Sequence, residues 1–516
     1  MSNGYGQGLD RQPWQLLEPA GCRPAGGAIL LLVTGIPHAA LGGGGPAGFT
    51  PFLAHAFGKR YDLPVPLWLF VFGGALVVFL SFLLVLPRRV AGQSAADAAL
   101  QDTSAPRRPA PVRWAISLLV LVALVVCGIA GSQTVAENIL PSVFWLAVWV
   151  AVPISCGVIG DWTRPVNPFA ALARIGDRQG LRRVLLGDDQ VVGWPARLGW
   201  WPATALFFVV ACGELIFNGT ATVPAFTAAG LLVYALVSLL AGLLFGAEAW
   251  LREGELFSVL FATWGRLGWF RFAAPGKTGF GGGLRAPFAA HVSRVTFVLL
   301  LLVSVSFDGL LSTDAWKTIR VQVALSGIAF ELFQTACFIA LVGIAWALFG
   351  GFAALVRRAG AITSSTLVVL ARLLPSLLPI AFGYLVAHNA EYIAINGQLF
   401  IPLLGNPAGQ DGVRLLPAPF DDSYEVNSNL LPSSVVWYVQ VALIIFVHIA
   451  AVVLAHRYLA HASRSESRAR RSEWPWIVAM VGYTMTSLWL LAQPLVQESA
   501  AAAVRSAVAP LAQLLR

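Results

Sequence analysis

Apolar residues run along this chain in long, nearly unbroken blocks. They show neither the period-two alternation of half-buried strands nor the narrow stripe of a soluble amphipathic helix. A helix needs roughly 20 apolar residues to cross a bilayer core. Ten blocks qualify, at about 64 to 86, 114 to 131, 141 to 160, 199 to 217, 224 to 246, 293 to 311, 324 to 353, 363 to 388, 434 to 457 and 474 to 494. Their Leu, Ala and Val content favours helices over the short alternating segments of a transmembrane β-barrel. The pattern predicts an all-α, polytopic transmembrane helix bundle with about ten membrane-spanning helices.

The first 54 residues break the pattern. A polar start carrying Arg11 and Arg23 leads into an apolar run, 26 to 33, that is too short to span. It reads as the hydrophobic region of a signal peptide. Cleavage after Ala54 would leave His55 as the new N-terminus, although Phe52 stands where a small residue is usual. The chain is thus expected to divide into a signal-like segment (1–54), a transmembrane domain (55–496) and a C-terminal tail (497–516).

Composition agrees, with 57% hydrophobic and 11% charged residues against roughly 25% charged in a soluble domain. No soluble fold of this length hides so much apolar surface, which excludes soluble enzymes and secreted disulfide scaffolds and makes the lipid bilayer a partner. The net charge of +9 is not a nucleic-acid signature, because the basic residues lie between the apolar blocks. With residue 64 placed outside, five connections face the cytoplasm and hold 24 Lys and Arg. The other side, after residue 55, holds seven: Lys59, Arg60, Lys317, Arg320, Arg414, Arg505 and Arg516. The positive-inside bias then puts both the mature N-terminus and the C-terminal tail outside the cytoplasm.

Trp437, Tyr438, Trp474 and Trp476 stand at helix ends, as interfacial anchors do. Cys22, Cys127, Cys156, Cys212 and Cys337 show no CxxC spacing and read as small core residues. The stretch 250 to 272 mixes apolar and charged residues in a way that predicts an amphipathic helix on the inner leaflet. Residues 87 to 112 read as a disordered linker, and 389 to 433 as a long external loop. In the segment 161 to 168, Asn167 before Pro168 predicts a capped helix start.

Ionisable groups inside apolar spans cost roughly 2.5 to 3.5 kcal/mol each at a helix centre, so they need partners or a purpose. In this topology Glu214, Asp308, Glu331 and His388 fall in the outer third of their helices, with His55, Asp62 and Glu391 just beyond. Histidine and carboxylate are the donor set of zinc, iron or manganese sites, and a free N-terminal His55 would add an α-amine and a ring able to chelate copper. If the helix continues through 383 to 391, Tyr384, His388 and Glu391 share one face, where an ion or phosphoryl oxygen could meet all three. If it ends at His388, that ring only bonds a neighbouring carbonyl. Asp308 suits a ligand, a proton carrier or a helix-end cap. Glu214 and Glu331 suit interhelical hydrogen bonds.

His448 and His456 are eight residues apart, about 12 Å of rise, and cannot share an ion. His456 is expected at the interface, and His448 near mid-membrane. Gly-Lys-Thr at 276 to 278 lacks the earlier glycine of a phosphate loop, since position 271 is Arg.

These segments also carry a likeness. His55 to Trp68 (HAFGKRYDLPVPLW), 160 to 168 (GDWTRPVNP), 306 to 310 (SFDGL), Ala387-His388 followed by Gly397-Gln398, and Trp437-Tyr-Val-Gln440 with His448 and Leu454-Ala-His456 occur in this order. Over roughly 55 to 460 the chain resembles the bacterial polytopic membrane proteins named fenitrothion hydrolase. His55-Ala56 replaces the family's usual His-Gly, and Asn389 stands where an aromatic residue is common. The resemblance implies a multi-pass protein of the bacterial cytoplasmic membrane that hydrolyses a small hydrophobic substrate, an organophosphate triester, at the outer leaflet. It implies a divalent transition metal (zinc, copper, iron or manganese) whose hydroxide attacks phosphorus. His55, His388 and Asp308 would be its ligands, and Glu391 a base or the group that orients a ligand histidine. The competing class is non-enzymatic: a metal-handling or solute permease, or a membrane subunit that positions a secreted companion. Gly383, Pro375 and Pro379 interrupt one span, as permease helices are interrupted.

Overall fold

In hydrocarbon each backbone N–H and C=O must find its partner within the protein, and a helix satisfies all but its ends internally. The computed structural model describes residues 67–85, 111–270, 272, 279–463 and 465–514, and they form an all-helical, multi-pass bundle. The expectations for residues 1–66, including the signal-like segment, His55 and Asp62, and for residues 87–110 of the linker lie outside the described residues.

The spans, in chain order, begin with α1 (Leu67–Val85), α2 (Pro111–Ala130) and α3 (Ile139–Ile159). Two short helices follow, α4 (Pro168–Gly176) and α5 (Gln179–Leu186). Next come the spans α6 (Trp201–Leu215) and α7 (Pro224–Phe245), then short α8 (Ala247–Glu253) and α9 (Leu256–Trp264). The second half holds α10 (Val292–Leu311), α11 (Asp314–Val323), α12 (Ile328–Ala359), α13 (Thr366–Asn396) and α14 (Phe400–Gly405). It closes with α15 (Ser433–Ala462) and α16 (Glu466–Leu514). Among the described residues eight helices are long and apolar enough to cross a membrane, and α1 and α6 are shorter apolar helices. Together they coincide with the ten predicted blocks.

α13 is the most enclosed span, packed by α10, α12 and α15, although Pro375 and Pro379 lie within it. A side chain at Gly383 would meet the Val447 methyls at 2.5 Å, so glycine there brings α13 and α15 into close contact. Gly242 does the same for α7 and α4, where an added Cβ would stand 2.0 Å from the Ala173 carbonyl oxygen. Because that obstacle is backbone, Gly242→Ala is expected to cost about 1 to 3 kcal/mol, measured as a lower unfolding midpoint in detergent.

Three expectations are corrected. The stretch 250 to 272 is not one surface helix: it breaks at Gly254, and α9 is buried along nearly its whole length. The reason is Glu255, fully buried, whose carboxylate accepts from Phe257 N at 3.1 Å, Ser258 N at 2.6 Å, Asn167 Nδ2 at 3.0 Å and the Tyr234 hydroxyl. So many donors allow a carboxylate to cap an inward-facing helix. The loop predicted from 389 begins only at Asn406, because α13 continues to Asn396 and α14 follows. His456, expected at the interface, does not face the surroundings of the bundle: it is buried, 3.1 Å from the equally buried Glu473 of α16. Asn167 does cap α4, accepting from Phe169 N and Ala170 N.

Candidate functional site

After His388 the chain reads Asn-Ala-Glu-Tyr-Ile-Ala-Ile-Asn, with no glycine or proline before Gly397. Nothing there stops a helix. Asn389 and Asn396 turn their amides onto carbonyls one turn back, Leu385 O at 3.0 Å and Tyr392 O at 3.1 Å, and so stay within it. Tyr384, His388 and Glu391 therefore lie on one α13 face, and all three are buried.

Opposite them stands Asp308, in the last turns of α10. His388 Nε2 lies 2.5 Å from Asp308 Oδ2, a direct charge-assisted contact between two spans. The two side chains keep only 10% and 11% exposure, so the pair is largely enclosed. The Tyr384 ring lies over the imidazole, centroids 6.1 Å apart and planes 18° apart. Its hydroxyl reaches the α10 backbone because residue 309 is glycine: a Cβ there would sit 2.7 Å from Tyr384 Oη. Gly309→Ala is expected to push Tyr384 aside with little loss of folded protein, checked by thermal melting.

Glu214 ends α6 at the same level. It accepts a 2.6 Å hydrogen bond from Trp149 Nε1 on α3, the interhelical bond its position suggested, and its charge acts on both Asp308 and His388. Trp149 belongs to a π-helical stretch, Ser142–Ala151, whose wider turn changes which side chains face inward. Tyr392, one turn beyond His388, also faces the Glu214 charge. Sequence reasoning missed Trp149 and Tyr392. A usable signal existed for the first, since an indole N–H buried in an apolar span needs an acceptor. Glu331 stands apart, half-buried in the first turn of α12, and its carboxylate makes no hydrogen bond among the described residues.

Loop 406–432 is tied to this end of the bundle. Ser132 N and Ile139 N donate to Ala408 O and Pro407 O, and the Gln398 side-chain amide clasps the Asn427 backbone, donating to its carbonyl oxygen and accepting from its N–H. Ser423 and Arg414 hold the half-buried Asp421 carboxyl below the usual carboxylate range.

A second layer lies deeper. Tyr483 Oη and Ser306 Oγ are 2.8 Å apart, and the Tyr483 ring is 6.4 Å from that of His448. His448 Nδ1 lies 2.7 Å from Ile444 O on its own helix, while Nε2 is buried without a hydrogen-bond partner among the described residues.

The implied metal finds an incomplete donor set. Among the described residues no three His, Cys, Asp or Glu side chains are grouped to hold an ion. Two donors each about 2.0 to 2.2 Å from one ion stand farther apart than the 2.5 Å separating His388 Nε2 from Asp308 Oδ2, so these two atoms are hydrogen-bonded and are not joint ligands in this arrangement. No protein-family model, curated protein or solved structure matches the chain.

Proposed function

We propose that the protein hydrolyses neutral, membrane-soluble phosphotriesters with the Asp308–His388 pair as its base. The observation that carries this reading is the 2.5 Å contact between the two side chains at one end of the bundle. A carboxylate on Nε2–H fixes the tautomer, leaves Nδ1 as the atom that takes a proton, and stabilises the resulting imidazolium. In this reading His388 takes a proton from water as the water oxygen attacks phosphorus. The bond from phosphorus to the aryl oxygen breaks, and the aryloxide leaves with the proton returned by His388. Tyr384 donates to the phosphoryl oxygen, and Glu391 orients the water. Glu214 and Asp308 make the surroundings acidic, which disfavours anionic diesters and leaves the uncharged triester as the fitting class.

The test is turnover of a nitrophenyl phosphotriester by the protein alone in liposomes. Activity is expected, with His388→Ala inactive and the anionic diester untouched. Exhaustive chelation should leave the rate unchanged. Activity lost on chelation and restored by zinc would replace the base mechanism with a metal site that draws donors from outside the described residues. Activity appearing only with a companion subunit would make this chain a scaffold.

A second reading is favoured by His448 and the His456–Glu473 pair, which continue protonatable groups toward the opposite end of the bundle. Such a series suits an ion or solute permease. Dissipation of a pH gradient by the liposomes, without hydrolysis, would select it.

A further inference from the structure

A cavity of about 540 Å³, within the size range of small-molecule sites, lies between α2 and α3. Its walls are hydrocarbon: Ile116, Val120 and Leu124 from α2, Val143 and Val148 from α3, and Phe257 from α9 behind. The gap exists because α2 packs on α7, on the first turn of α3 and on α4, and is the least enclosed of the eight long spans.

Two features identify an occupant. The cavity follows α2 from Arg113 to Leu124, about 16 Å of helix, which is half of the roughly 30 Å hydrocarbon core and so the depth of one leaflet. Its polar residues gather at one end, where Arg113 and Trp162 sit beside the loop that leads into α4. Arg113 is exposed, and its guanidinium makes no ion pair among the described residues. The neighbouring Asp161 is already engaged by Arg164 at 2.6 Å. A one-leaflet apolar slot with an uncompensated cation at headgroup level matches a lipid with an anionic head.

We propose that this cavity holds one acyl chain of an anionic phospholipid, with Arg113 on its phosphate and the Trp162 ring at the level of the glycerol. The wall is shared with the candidate active site: Val148 faces the lipid chain, and the next residue, Trp149, holds Glu214. The lipid site does not depend on the hydrolytic reading, since it uses none of the same side chains.

The experiment is native mass spectrometry of the full chain, released from vesicles of equal phosphatidylglycerol and phosphatidylcholine. One retained phosphatidylglycerol is expected per protein. Arg113→Gln, a change at an exposed position that leaves the bundle folded, should weaken that retention about fivefold. Leu121→Trp, which fills the slot, should reduce retention of both lipids. Retained lipid in the bulk ratio, or retention of phosphatidylglycerol unaffected by Arg113→Gln, overturns the proposal.

Discussion

Asp308→Asn is expected to lower phosphotriester turnover by about 10²- to 10⁴-fold, the range a positioned acid–base group contributes. The substitution keeps the shape of the side chain that meets His388 Nε2 at 2.5 Å, so the protein should remain folded. What changes is the charge. An amide neither stabilises an imidazolium nor fixes the ring with its proton on Nε2, and it can hold the wrong tautomer by donating to that atom. His388→Ala should remove at least as much activity. The double variant should lose little more than either single one, because the two residues act as a unit. Rates in proteoliposomes, set beside thermal melting of each variant, decide the matter. An Asp308→Asn protein within a few-fold of the parent rate would sink the base assignment.

The largest stability effect is expected at Glu255. Its carboxylate is fully buried and receives Asn167 Nδ2, Phe257 N, Ser258 N and the Tyr234 hydroxyl. Glu255→Ala strands these donors in a core built of Phe169, Tyr234 and Phe257, whose rings pack at centroid distances of 4.5 to 5.5 Å. A loss of about 3 to 5 kcal/mol is expected, the cost of removing one member of a buried charged network. Glu255→Gln keeps one acceptor oxygen and should lose roughly half as much. Denaturant titration in mild detergent measures both. Equal melting of Glu255→Ala and the parent would show that the network contributes nothing net.

Hydropathy alone located the spans, because a bilayer imposes a nearly binary demand on helix-length blocks. It also brought Asp308, His388 and Glu214 to one end, since three helices running in the same direction carry them at matching depths. Two physical effects were not legible. The first is the π-helical turn that aims Trp149 at Glu214, a local change of helical period with no apolar signature. The second is burial of charge. Glu255, His456 and Glu473 lie in or beside charged connections, yet each is buried with partners that make burial tolerable. Partner geometry between helices distant in sequence is a tertiary fact, and no local window contains it.

Apolar helix faces in lipid gain little from one axial position over another, because the tails outside are as apolar as the side chains within. Four polar contacts in this bundle remove that freedom. Asp308–His388 fastens α10 to α13 near one end, and His456–Glu473 fastens α15 to α16 near the other. Gln440 Nε2 on Ala387 O, at 2.7 Å, and Trp476 Nε1 on Ser376 Oγ, at 3.3 Å, tie those two couples together through α13. The four spans are thereby pinned against sliding like the leaves of a hinge held by two bolts. The same carboxylate and imidazole proposed to move a proton also set the depth at which that proton is moved.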